Sequence, residues 1–490
     1  MYQSPKWLPG AVVALTILSI LLLHWDVFPK ELMGSHTWRQ SQTRLNILNF
    51  YQHDPNILNP RVAQFNTGTN LYRYEFPLMQ WIIGMIHRML GSEHILITRA
   101  MLFLIGSGSL LGFYAFAKQV LARPLHAALA TLALAYSPVY SYWMVNPIPD
   151  NLALGLTCWF LYFFIRNLTE GIPRWPVAGP VFIGLATLVK LPFVLFGVLP
   201  FIHWLSMLWG RKGKFKSSTI RYGAAYSLCI LPAIAWYAWV IPGWTGNGVV
   251  AGIFDNGISW KEVGNILEYH AETMLPHILM TPITLAIFGV SLIGFFVNGC
   301  HRQLVGKYVL LGFTGVLLYF LYELNMINIV HDYYMFPFLP FLFLGVGYGI
   351  QILSKWHPIM MFLVIGALLI VPAQTNQKHL DSWEPDPGNN LNLWTYQDDL
   401  IKAVPDTAKV VILNDHSRMV FAYMVRKQGL IFGDDHLPTR WVEDIIRRQR
   451  IFYMYSDSRK VDQDSTIQTF IDTTLLEAGD IKVFKFKELQ

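Results

Sequence analysis

The chain has 490 residues, of which 53% are hydrophobic and only 14% are charged. Soluble domains carry about 25% charged residues, so this composition excludes an ordinary soluble enzyme and predicts an integral membrane protein. The formal net charge is +6, but the basic residues lie in short loops between apolar runs, which argues against a nucleic-acid partner. The three cysteines are Cys158, Cys229 and Cys300, and all lie in or beside apolar runs. Neither a disulfide nor a zinc cluster is therefore predicted.

The apolar runs predict about eleven membrane spans, since a transmembrane helix needs about 20 apolar residues. The first run, residues 7–28, is too long for the core of a signal peptide and lacks a small-residue cleavage site, so it is interpreted as an uncleaved anchor. The predicted spans are residues 8–28, 97–117, 124–143, 151–166, 177–189, 191–209, 219–241, 277–298, 305–322, 333–352 and 357–373.

The basic residues predict how the chain is oriented in the membrane. With the amino terminus in the cytoplasm, most of the loop lysines and arginines fall on the cytoplasmic side, as positive-inside bias requires. They are Lys118, Arg123, Arg166, Arg174, the basic run 211–216, Arg302, Lys307 and Lys355. The opposite, outer side then receives the loop 29–96, the turn 144–150, Lys190, the loop 242–276, the turn 323–332 and everything after 374. A bacterial plasma membrane is the expected location.

Three regions are predicted along the chain. Residues 1–373 form a polytopic α-helical membrane domain, whose first outer loop, 29–96, contains an amphipathic helix at 75–90 that is too polar to span and lies at the interface. A linker with many Pro, Gly and Asn residues occupies 374–395.

Residues 396–490 are predicted to form a small α/β domain outside the cytoplasm, because strand-like and helix-like patterns alternate there. The β-prone runs are 409–413, 430–432, 450–455 and 481–486, and the helical patterns are 417–427 and 440–448. The region has no Gly-rich phosphate loop, so no nucleotide site is predicted in it.

The first polar cluster follows the first span. A helix is predicted to begin at Gly34-Ser35, which places His36, Arg39, Gln40 and Thr43 on one face. Free N–H groups at a helix start and the guanidinium fork of Arg39 together suit a phosphate or another anion. The alternative is a solvated loop helix with Trp38 as an interfacial anchor.

Two acidic residues in the same loop are further candidates for chemistry. Asp54 lies in the run His53-Asp54-Pro55-Asn56, and Glu75 precedes the amphipathic helix. The alternative for Glu75 is an acid that is favoured at a helix start by the helix dipole.

Three more clusters are expected at outer helix ends. Asp150 is the last residue of the run Asn146-Pro-Ile-Pro-Asp150, and its alternative role is to cap the next helix. Lys190 stands alone between two apolar stretches, and snorkelling to the interface is its alternative. The fourth cluster is the run His331, Asp332, Tyr333 and Tyr334, for which an aromatic belt with an Asp-oriented histidine is the alternative.

Together these clusters supply cations, carboxylates and an imidazole on one side of the membrane. A transferase with a lipid-phosphate donor needs cations for the phosphate, a base for the acceptor hydroxyl and an apolar groove for the lipid tail. The combination therefore favours such an enzyme.

Over residues 5–370 the sequence resembles the C-type glycosyltransferase superfold (GT-C), in the family 39-like group that includes protein mannosyltransferases and the lipid A aminoarabinose transferase. The resemblance rests on the order and spacing of several motifs. They are the polar-x-x-Arg motif at 36–39, Tyr74-Glu-Phe-Pro-Leu78 with Trp81, the Pro-x-x-Asp-like turn at 147–150, Gly184 to Lys190, and His331-Asp-Tyr-Tyr334.

The resemblance implies an inverting transfer of a sugar from a polyprenyl phosphate carrier to a protein, lipid or glycan acceptor on the outer face. It places Arg39 and Lys190, with Gln40 beside Arg39, at the donor phosphate and Asp150 at the acceptor or sugar. Tyr333 or Tyr334 would line the donor groove. Further expected substrate contacts are His331, Asp332 and Trp38.

The sequence departs from the family pattern at the expected base. The family usually has an acid three residues before the loop arginine, and His36 stands there; Phe76 stands where a lysine often follows the glutamate. A neutral imidazole can act as a base, since its unperturbed pKa is about 6.5. The assignment stays open among His36, Glu31, Asp54, Glu75 and Asp150.

Three other classes of protein are alternatives to this interpretation. A transporter or flippase for lipid-linked glycans should show repeated halves, and the long first loop has no counterpart in the second half. A ligase of diphosphate-linked glycans usually has a late outer loop with several arginines, but 242–276 contains only Lys261. A non-catalytic relative is the third alternative, because of His36. The sequence identifies no certain cofactor; a divalent metal stays open, although no ligand cluster implies one.

Overall fold

The structure is a computed structural model that describes residues 5–66, 68–171, 176–209, 217–244, 258–356, 358–380, 383 and 388–489. The chain divides into two compact units. The first comprises Met1–Lys30, Tyr74–Met79 and Ile95–Asp381, and the second comprises Glu31–Arg73, Gln80–His94 and Ser382–Gln490. Arg174, the basic run 211–216 and part of the loop 242–276, which the sequence placed in the topology, lie outside the described residues.

Helices dominate the described chain. In order they are α1 (Leu8–Leu23), α2 (Thr37–Gln52), α3 (Leu78–Leu90), α4 (Ile95–Val120), α5 (Pro124–Ala135), α6 (Pro138–Trp143), α7 (Asp150–Glu170), α8 (Ala178–Val189), α9 (Val198–Trp209), α10 (Ser217–Val240), α11 (Trp260–Tyr269), α12 (Pro282–Val297), α13 (Leu304–Tyr322), α14 (Leu324–Ile327), α15 (Leu339–Trp356), α16 (Pro358–Leu380), α17 (Asn392–Thr395), α18 (Gln397–Lys402), α19 (Val420–Val425), α20 (Thr439–Arg447) and α21 (Ser465–Phe470). A π-helix, His270–Leu279, follows α11.

Seven helical segments among the described residues are long and apolar enough to cross a membrane. They are Ile95–Val120, Asp150–Glu170, Leu191–Trp209, Ser217–Gly243, Leu304–Tyr322, Asp332–Trp356 and Ile359–Gln377. The pair Trp260–Leu279 and Pro282–Val297, bent by 109°, would make an eighth, and Leu8–Leu23, Pro124–Ala135 and Ala178–Val189 are shorter apolar helices. The chain is thus a polytopic α-helical membrane protein, and the count of eleven spans stays a prediction.

Two of the predicted spans differ from the observed helices. The expected span 8–28 is helical only to Leu23, where a short 3₁₀ turn, Trp25–Val27, takes over. The expected continuous span 124–143 is two helices, because Pro138 cannot donate the backbone hydrogen bond that would continue α5.

Close helix contacts in the first unit depend on small residues. Helix α4 packs along α7, and α7 packs along α8. At the first interface a Cβ on Gly155 would lie 2.5 Å from the Ser109 hydroxyl oxygen, and a Cβ on Gly112 would lie 2.9 Å from the Trp159 ring. Membrane helices that lack a solvent-driven force associate through such close packing. The α4–α7–α8 layer brings the carboxyl end of α8 near the start of α7.

The second unit is built on a seven-stranded sheet. Its strands are β1 (Arg61–Asn66), β2 (Thr69–Leu71), β3 (Lys409–Leu413), β4 (Gln428–Ile431), β5 (Tyr453–Ser456), β6 (Ile471–Ala478) and β7 (Ile481–Phe486), in the order β2-β1-β4-β3-β5-β7-β6. The pairs β1–β4, β4–β3 and β3–β5 are parallel, and the pairs at both edges are antiparallel. An apolar core under this sheet includes Val411, Ile445 and Phe484. The carboxyl-terminal region is therefore α/β.

The sheet includes strands from the first loop as well as from residues 396–490. Strands β1 and β2 come from residues 61–71, and β1 pairs with β4 at Gln64 and Gly429. The Gln428 amide supports this junction: it accepts a hydrogen bond from Asn70 Nδ2 at 3.2 Å and donates to Asn49 Oδ1 at 3.1 Å. The expected domain boundaries 1–373, 374–395 and 396–490 stay a prediction, since the two compact units divide the chain differently.

A buried Arg44–His87 pair fixes α2 to α3 within the second unit. His87 Nδ1 donates to the Ser92 carbonyl at 2.6 Å, and Nε2 then accepts from Arg44 Nη1 at 2.9 Å. Both side chains are buried. Burial and the positive charge of Arg44 lower the pKa of His87 to about 4.

This pair predicts that acid destabilises the second unit. The folded-state pKa of His87 lies below its ordinary value of 6.5, so the unfolded chain binds the proton first and stability falls as the pH decreases from about 6.5 towards 4. The midpoint of thermal unfolding should fall over that range, and His87→Gln should reduce the fall. Gln keeps an acceptor for Arg44 and does not titrate.

The matched control is His94→Gln, a change at an exposed histidine four residues after α3. Unfolding of the purified protein, followed by tryptophan fluorescence at pH 7.5, 6, 5 and 4.5, measures the effect. An equal acid sensitivity in wild type and His87→Gln, or the same reduction in His94→Gln, would contradict the role of His87.

Candidate active site

Three charged side chains from distant parts of the sequence meet in the first unit. Lys190 Nζ lies 2.8 Å from Glu75 Oε1 and 3.4 Å from Asp150 Oδ2. The side chains of Lys190 and Asp150 are 5% and 2% exposed, and that of Glu75 is 17% exposed. One ammonium thus faces two carboxylates. Burying these charges costs desolvation free energy, which their mutual attraction offsets. We call these three residues the charged cluster.

Lys190 lies at a break between two helices. Helix α8 ends at Val189, the Lys190 backbone is extended with φ −151° and ψ 111°, and a 3₁₀ helix, Leu191–Gly197, begins directly after it. The Lys190 amide still donates to the Ala186 carbonyl at 2.9 Å, so α8 is closed normally. The break lies between the two apolar stretches that were predicted as the spans 177–189 and 191–209. It directs the ammonium to the buried carboxylates.

Asp150 is the first residue of α7 and follows a turn that contains two prolines. Arg99 of α4 stabilises this turn: its guanidinium donates to the Val145 carbonyl at 3.2 Å and to Asn146 Oδ1 at 2.7 Å. Asn151 Nδ2 donates to the Trp143 carbonyl at 2.6 Å. These buried contacts fix the direction from which Asp150 enters the cluster.

Glu75 is held by aromatic residues of α10 and the turn after it. Trp236 Nε1 donates to the Tyr74 carbonyl at 3.0 Å, and the Trp236 ring packs edge-on against Phe76 at 5.0 Å. Tyr74 stacks on Trp244 at 4.9 Å. Both neighbours of Glu75 are therefore anchored. Phe76, which stands where a lysine was expected from the family pattern, fills a packing role.

Two tyrosines lie beside the ammonium of Lys190. Lys190 Nζ lies 4.9 Å from the ring centroid of Tyr334 and 5.8 Å from that of Tyr333. A cation near an aromatic face is stabilised by the ring quadrupole. Tyr333 is buried and packs edge-on against Trp143 at 5.3 Å. Tyr333 and Tyr334, which we call the tyrosine wall, thus lie beside the charged cluster.

His331 and Asp332 support the tyrosine wall through their contacts with neighbouring aromatic residues. Asp332 Oδ1 accepts a hydrogen bond from Trp143 Nε1 at 3.1 Å. His331 Nδ1 donates to the Met326 carbonyl at 2.7 Å, and its ring packs against Tyr334 at 5.3 Å. Asp332 is thereby connected to the tyrosine wall through Trp143.

The loop residues His36, Trp38, Arg39 and Gln40 belong to the second unit, and their helix begins later than predicted. Helix α2 starts at Thr37, and His36 is its N-cap residue with φ 56°, a left-handed conformation. His36 therefore does not share a helical face with Arg39, which corrects the expected helix start at Gly34-Ser35. The turn is closed by Thr37 Oγ1, which donates to the Gly34 carbonyl at 2.5 Å.

Arg39 and Gln40 are both buried in this helix, and Trp38 is half-buried. The Arg39 guanidinium donates to the side-chain oxygen of Gln42. Gln40 Nε2 donates to the Ser35 carbonyl at 2.9 Å, which uses the amide to hold the turn.

The other two candidate acids of the loop, Asp54 and Glu31, also lie in the second unit. Asp54 accepts from the Asn56 amide at 2.9 Å and pairs with Arg61 at 3.4 Å. The backbone hydrogen bond from Asn56 is the main cause that lowers the pKa of Asp54, which makes it a weaker base. Glu31 accepts from the Tyr423 hydroxyl and from the Leu32 amide. Both acids have structural partners in the second unit.

Sequence reasoning missed several residues that hold the cluster in place. Arg99, Trp143 and Trp236 were not singled out. Arg99 is a fully buried charge within an apolar helix, a signal that could have found it. The two tryptophans gave no comparable signal, because tryptophans are common throughout this chain. Among the described residues no group of three or more His, Cys, Asp or Glu side chains is arranged to hold a metal ion.

The chain has the C-type glycosyltransferase fold, which comparisons with known proteins show. Residues 75–236 match the family model described as dolichyl-phosphate-mannose-protein mannosyltransferase. That stretch begins at Glu75 and includes Asp150 and Lys190. No curated protein sequence gives a significant match.

Solved structures with this fold extend over nearly the whole chain. ArnT from Cupriavidus metallidurans bound to undecaprenyl phosphate has a TM-score of 0.64 and 11% identity, covering 96% of this chain and 97% of its own. The oligosaccharyltransferase AglB from Archaeoglobus fulgidus, in complex with an inhibitory peptide and a dolichol-phosphate, has a TM-score of 0.60 and 11% identity over 93% of this chain and 70% of its own. The arabinofuranosyltransferase AftD from Mycobacteria has a TM-score of 0.57 and 15% identity over 99% of this chain and 42% of its own. At these identities the likeness shows the fold.

Proposed function

We propose that this protein is an inverting glycosyltransferase that moves a sugar from a polyprenyl phosphate carrier to an acceptor on the outer face of the membrane. The observation that carries the proposal is the charged cluster with its tyrosine wall, in a chain with the C-type glycosyltransferase fold. Two structures with this fold hold undecaprenyl phosphate and a dolichol-phosphate, which supports a lipid-linked donor.

The reaction needs a cation at the donor phosphate. Lys190 supplies it: as the bond between the anomeric carbon and the phosphate oxygen breaks, that oxygen keeps the electron pair and gains negative charge. A fixed ammonium stabilises this charge more in the transition state than in the ground state. Arg39 is proposed as a second phosphate ligand on the strength of its sequence motif, with Gln40 beside it.

The reaction also needs a group that accepts the proton of the acceptor hydroxyl while the hydroxyl oxygen bonds to the anomeric carbon. Asp150 and Glu75 are the proposed acceptors, because both carboxylates lie at the cation that faces the leaving phosphate. His36 remains the competing choice. Asp54 is the weaker one, because its carboxylate is held in a turn.

The tyrosines would form part of the donor site. Tyr333 and Tyr334 present aromatic surface next to Lys190, with His331 and Asp332 behind them. Such surface suits a sugar ring or the first isoprene units beside the phosphate. Trp38 is proposed as a further substrate contact from the sequence alone. The outer location of these residues rests on the positive-inside pattern.

Incubation of the purified protein with polyprenyl phosphate sugars tests the proposal. We expect at least one donor in a panel of hexose and pentose derivatives to release free polyprenyl phosphate, followed by mass spectrometry. Polyprenyl diphosphate sugars serve as the control donors, since a ligase would consume these. No release from any monophosphate donor in the presence of a membrane acceptor extract would contradict transfer and favour transport or a scaffold role.

A further inference from the structure

A cavity of about 830 Å³ lies between helices α12, α13 and α15 of the first unit. Its walls are mostly apolar and include Phe288, Leu292, Phe295, Phe313, Phe341 and Leu344. Sites for lipid-sized or drug-sized ligands typically enclose about 300 to 1,000 Å³. The cavity is therefore large enough for a ligand, and its lining suits a hydrocarbon chain.

The cavity opens at the membrane face opposite to the charged cluster. Its polar end lies at Gln351 and Lys355, in the last turns of α15, whereas Tyr334 lies before the first residue of that helix. A helix of 18 residues is about 27 Å long, which is close to the thickness of a hydrocarbon core. The cavity is thus separate from the proposed catalytic centre.

The lining of the cavity carries a positive charge. Of its lining residues, all within the described ranges, Lys355 carries the only full charge. The neighbouring polar groups are engaged: Tyr348 hydroxyl accepts from Asn298 Nδ2 at 3.1 Å, and Gln351 Oε1 accepts from the Ala122 amide at 2.8 Å. Lys355 is exposed at the mouth.

More basic residues surround the same end of the bundle. Lys118 lies in the last turn of α4, Arg302 lies between α12 and α13, and Lys307 lies in the first turn of α13. All three are exposed. A basic rim around an apolar cavity attracts an amphiphile with a negative headgroup.

We propose that this cavity is a binding site for an anionic phospholipid, with an acyl chain between α12, α13 and α15 and the headgroup phosphate on Lys355. The apolar walls select a hydrocarbon chain over a free phosphate ion. The lysine in the lining selects a negatively charged headgroup over a zwitterionic one.

Retention of phosphatidylglycerol by the full-length protein tests this site. The protein is equilibrated in mixed micelles with equal phosphatidylglycerol and phosphatidylcholine, and the bound lipid is counted by native mass spectrometry. We expect preferential retention of phosphatidylglycerol, which Lys355→Glu lowers by about tenfold or more because two units of charge change at the surface. Lys307→Glu makes the same charge change in the basic rim, outside the cavity lining, and should have a clearly smaller effect than Lys355→Glu, because it weakens only the general attraction of the rim.

A second pair of variants tests the apolar part. Val309→Trp fills the cavity from α13 and should abolish retention, whereas Leu318→Trp, at an exposed position of the same helix, should leave it unchanged. Equal retention of the two lipids, equal losses in Lys355→Glu and Lys307→Glu, or full retention in a folded Val309→Trp variant would overturn the proposal. So would preferential retention of undecaprenyl phosphate added as a competitor.

Discussion

Replacing Lys190 with methionine is expected to lower sugar transfer by about 100- to 1,000-fold, since fixed electrostatic stabilisation of a leaving group contributes on this scale. Methionine keeps most of the length of the side chain and removes the ammonium 2.8 Å from Glu75 and 3.4 Å from Asp150. Single-turnover release of polyprenyl phosphate measures the loss directly.

The same substitution leaves two carboxylates without their cation, so stability should fall too, by about 3 kcal/mol or more. The double variant Lys190→Met/Asp150→Asn removes one of these charges and should recover part of the thermal stability without recovering transfer. Lys261→Met, at an exposed lysine, is the control for loss of a lysine. Normal transfer by a folded Lys190→Met variant would refute the role given to the charged cluster.

Arg39→Ala and Asp150→Asn are each expected to lower transfer by about 100-fold or more in protein that still folds. Arg39→Ala removes the proposed second phosphate ligand and should also raise the donor KM. Asp150→Asn keeps the shape of a side chain that is 2% exposed but removes a proposed proton acceptor. Initial rates at several donor concentrations distinguish the two effects.

Matched controls separate these roles from local structure. Gln42→Ala removes the side chain to which Arg39 donates and leaves the guanidinium in place, so it should retain most activity. Asp26→Asn makes the same change of acid to amide at an exposed position. Full activity of Arg39→Ala and Asp150→Asn would exclude the assigned residues, and an inactive Gln42→Ala would indicate that the fold of α2, rather than Arg39 itself, is required.

Regular local patterns were the part of the fold that the sequence predicted well. Strands β3 and β7 have the predicted bounds, 409–413 and 481–486, because each is a compact β-prone run. The predicted helix 440–448 matches α20 within a residue. Strands β1 and β2 were missed: they pair with each other, and β1 joins the rest of the sheet only through β4, more than 350 positions later in the chain.

The start of α2 shows a different limit. The run Gly34-Ser35 has the composition of a helix N-terminus, and the periodicity from His36 onward fits a helix. The structure places His36 in a left-handed conformation, which a non-glycine residue rarely adopts and which no local pattern predicts. The orientation of His36 relative to Arg39 therefore could not be derived from spacing.

The sequence identified the residues of the charged cluster, but it did not predict that they contact one another. Glu75, Asp150 and Lys190 each stood out as a charged group near an apolar run. Their meeting depends on α7 packing against α8 and on Trp236 and Trp244 holding the segment around Glu75, which are contacts between positions far apart in sequence. Arg99 is a charge within an apolar helix, which the sequence does show, but its contact with the turn before Asp150 joins positions far apart in sequence.

The most direct test of the central claim is the anomeric configuration of the product, together with the stoichiometry of donor release. With an active donor from the panel and its acceptor, one free polyprenyl phosphate should appear for each sugar transferred, and NMR should show the configuration inverted relative to the donor. Release that does not depend on the acceptor, or a product with retained configuration, would contradict an inverting transfer.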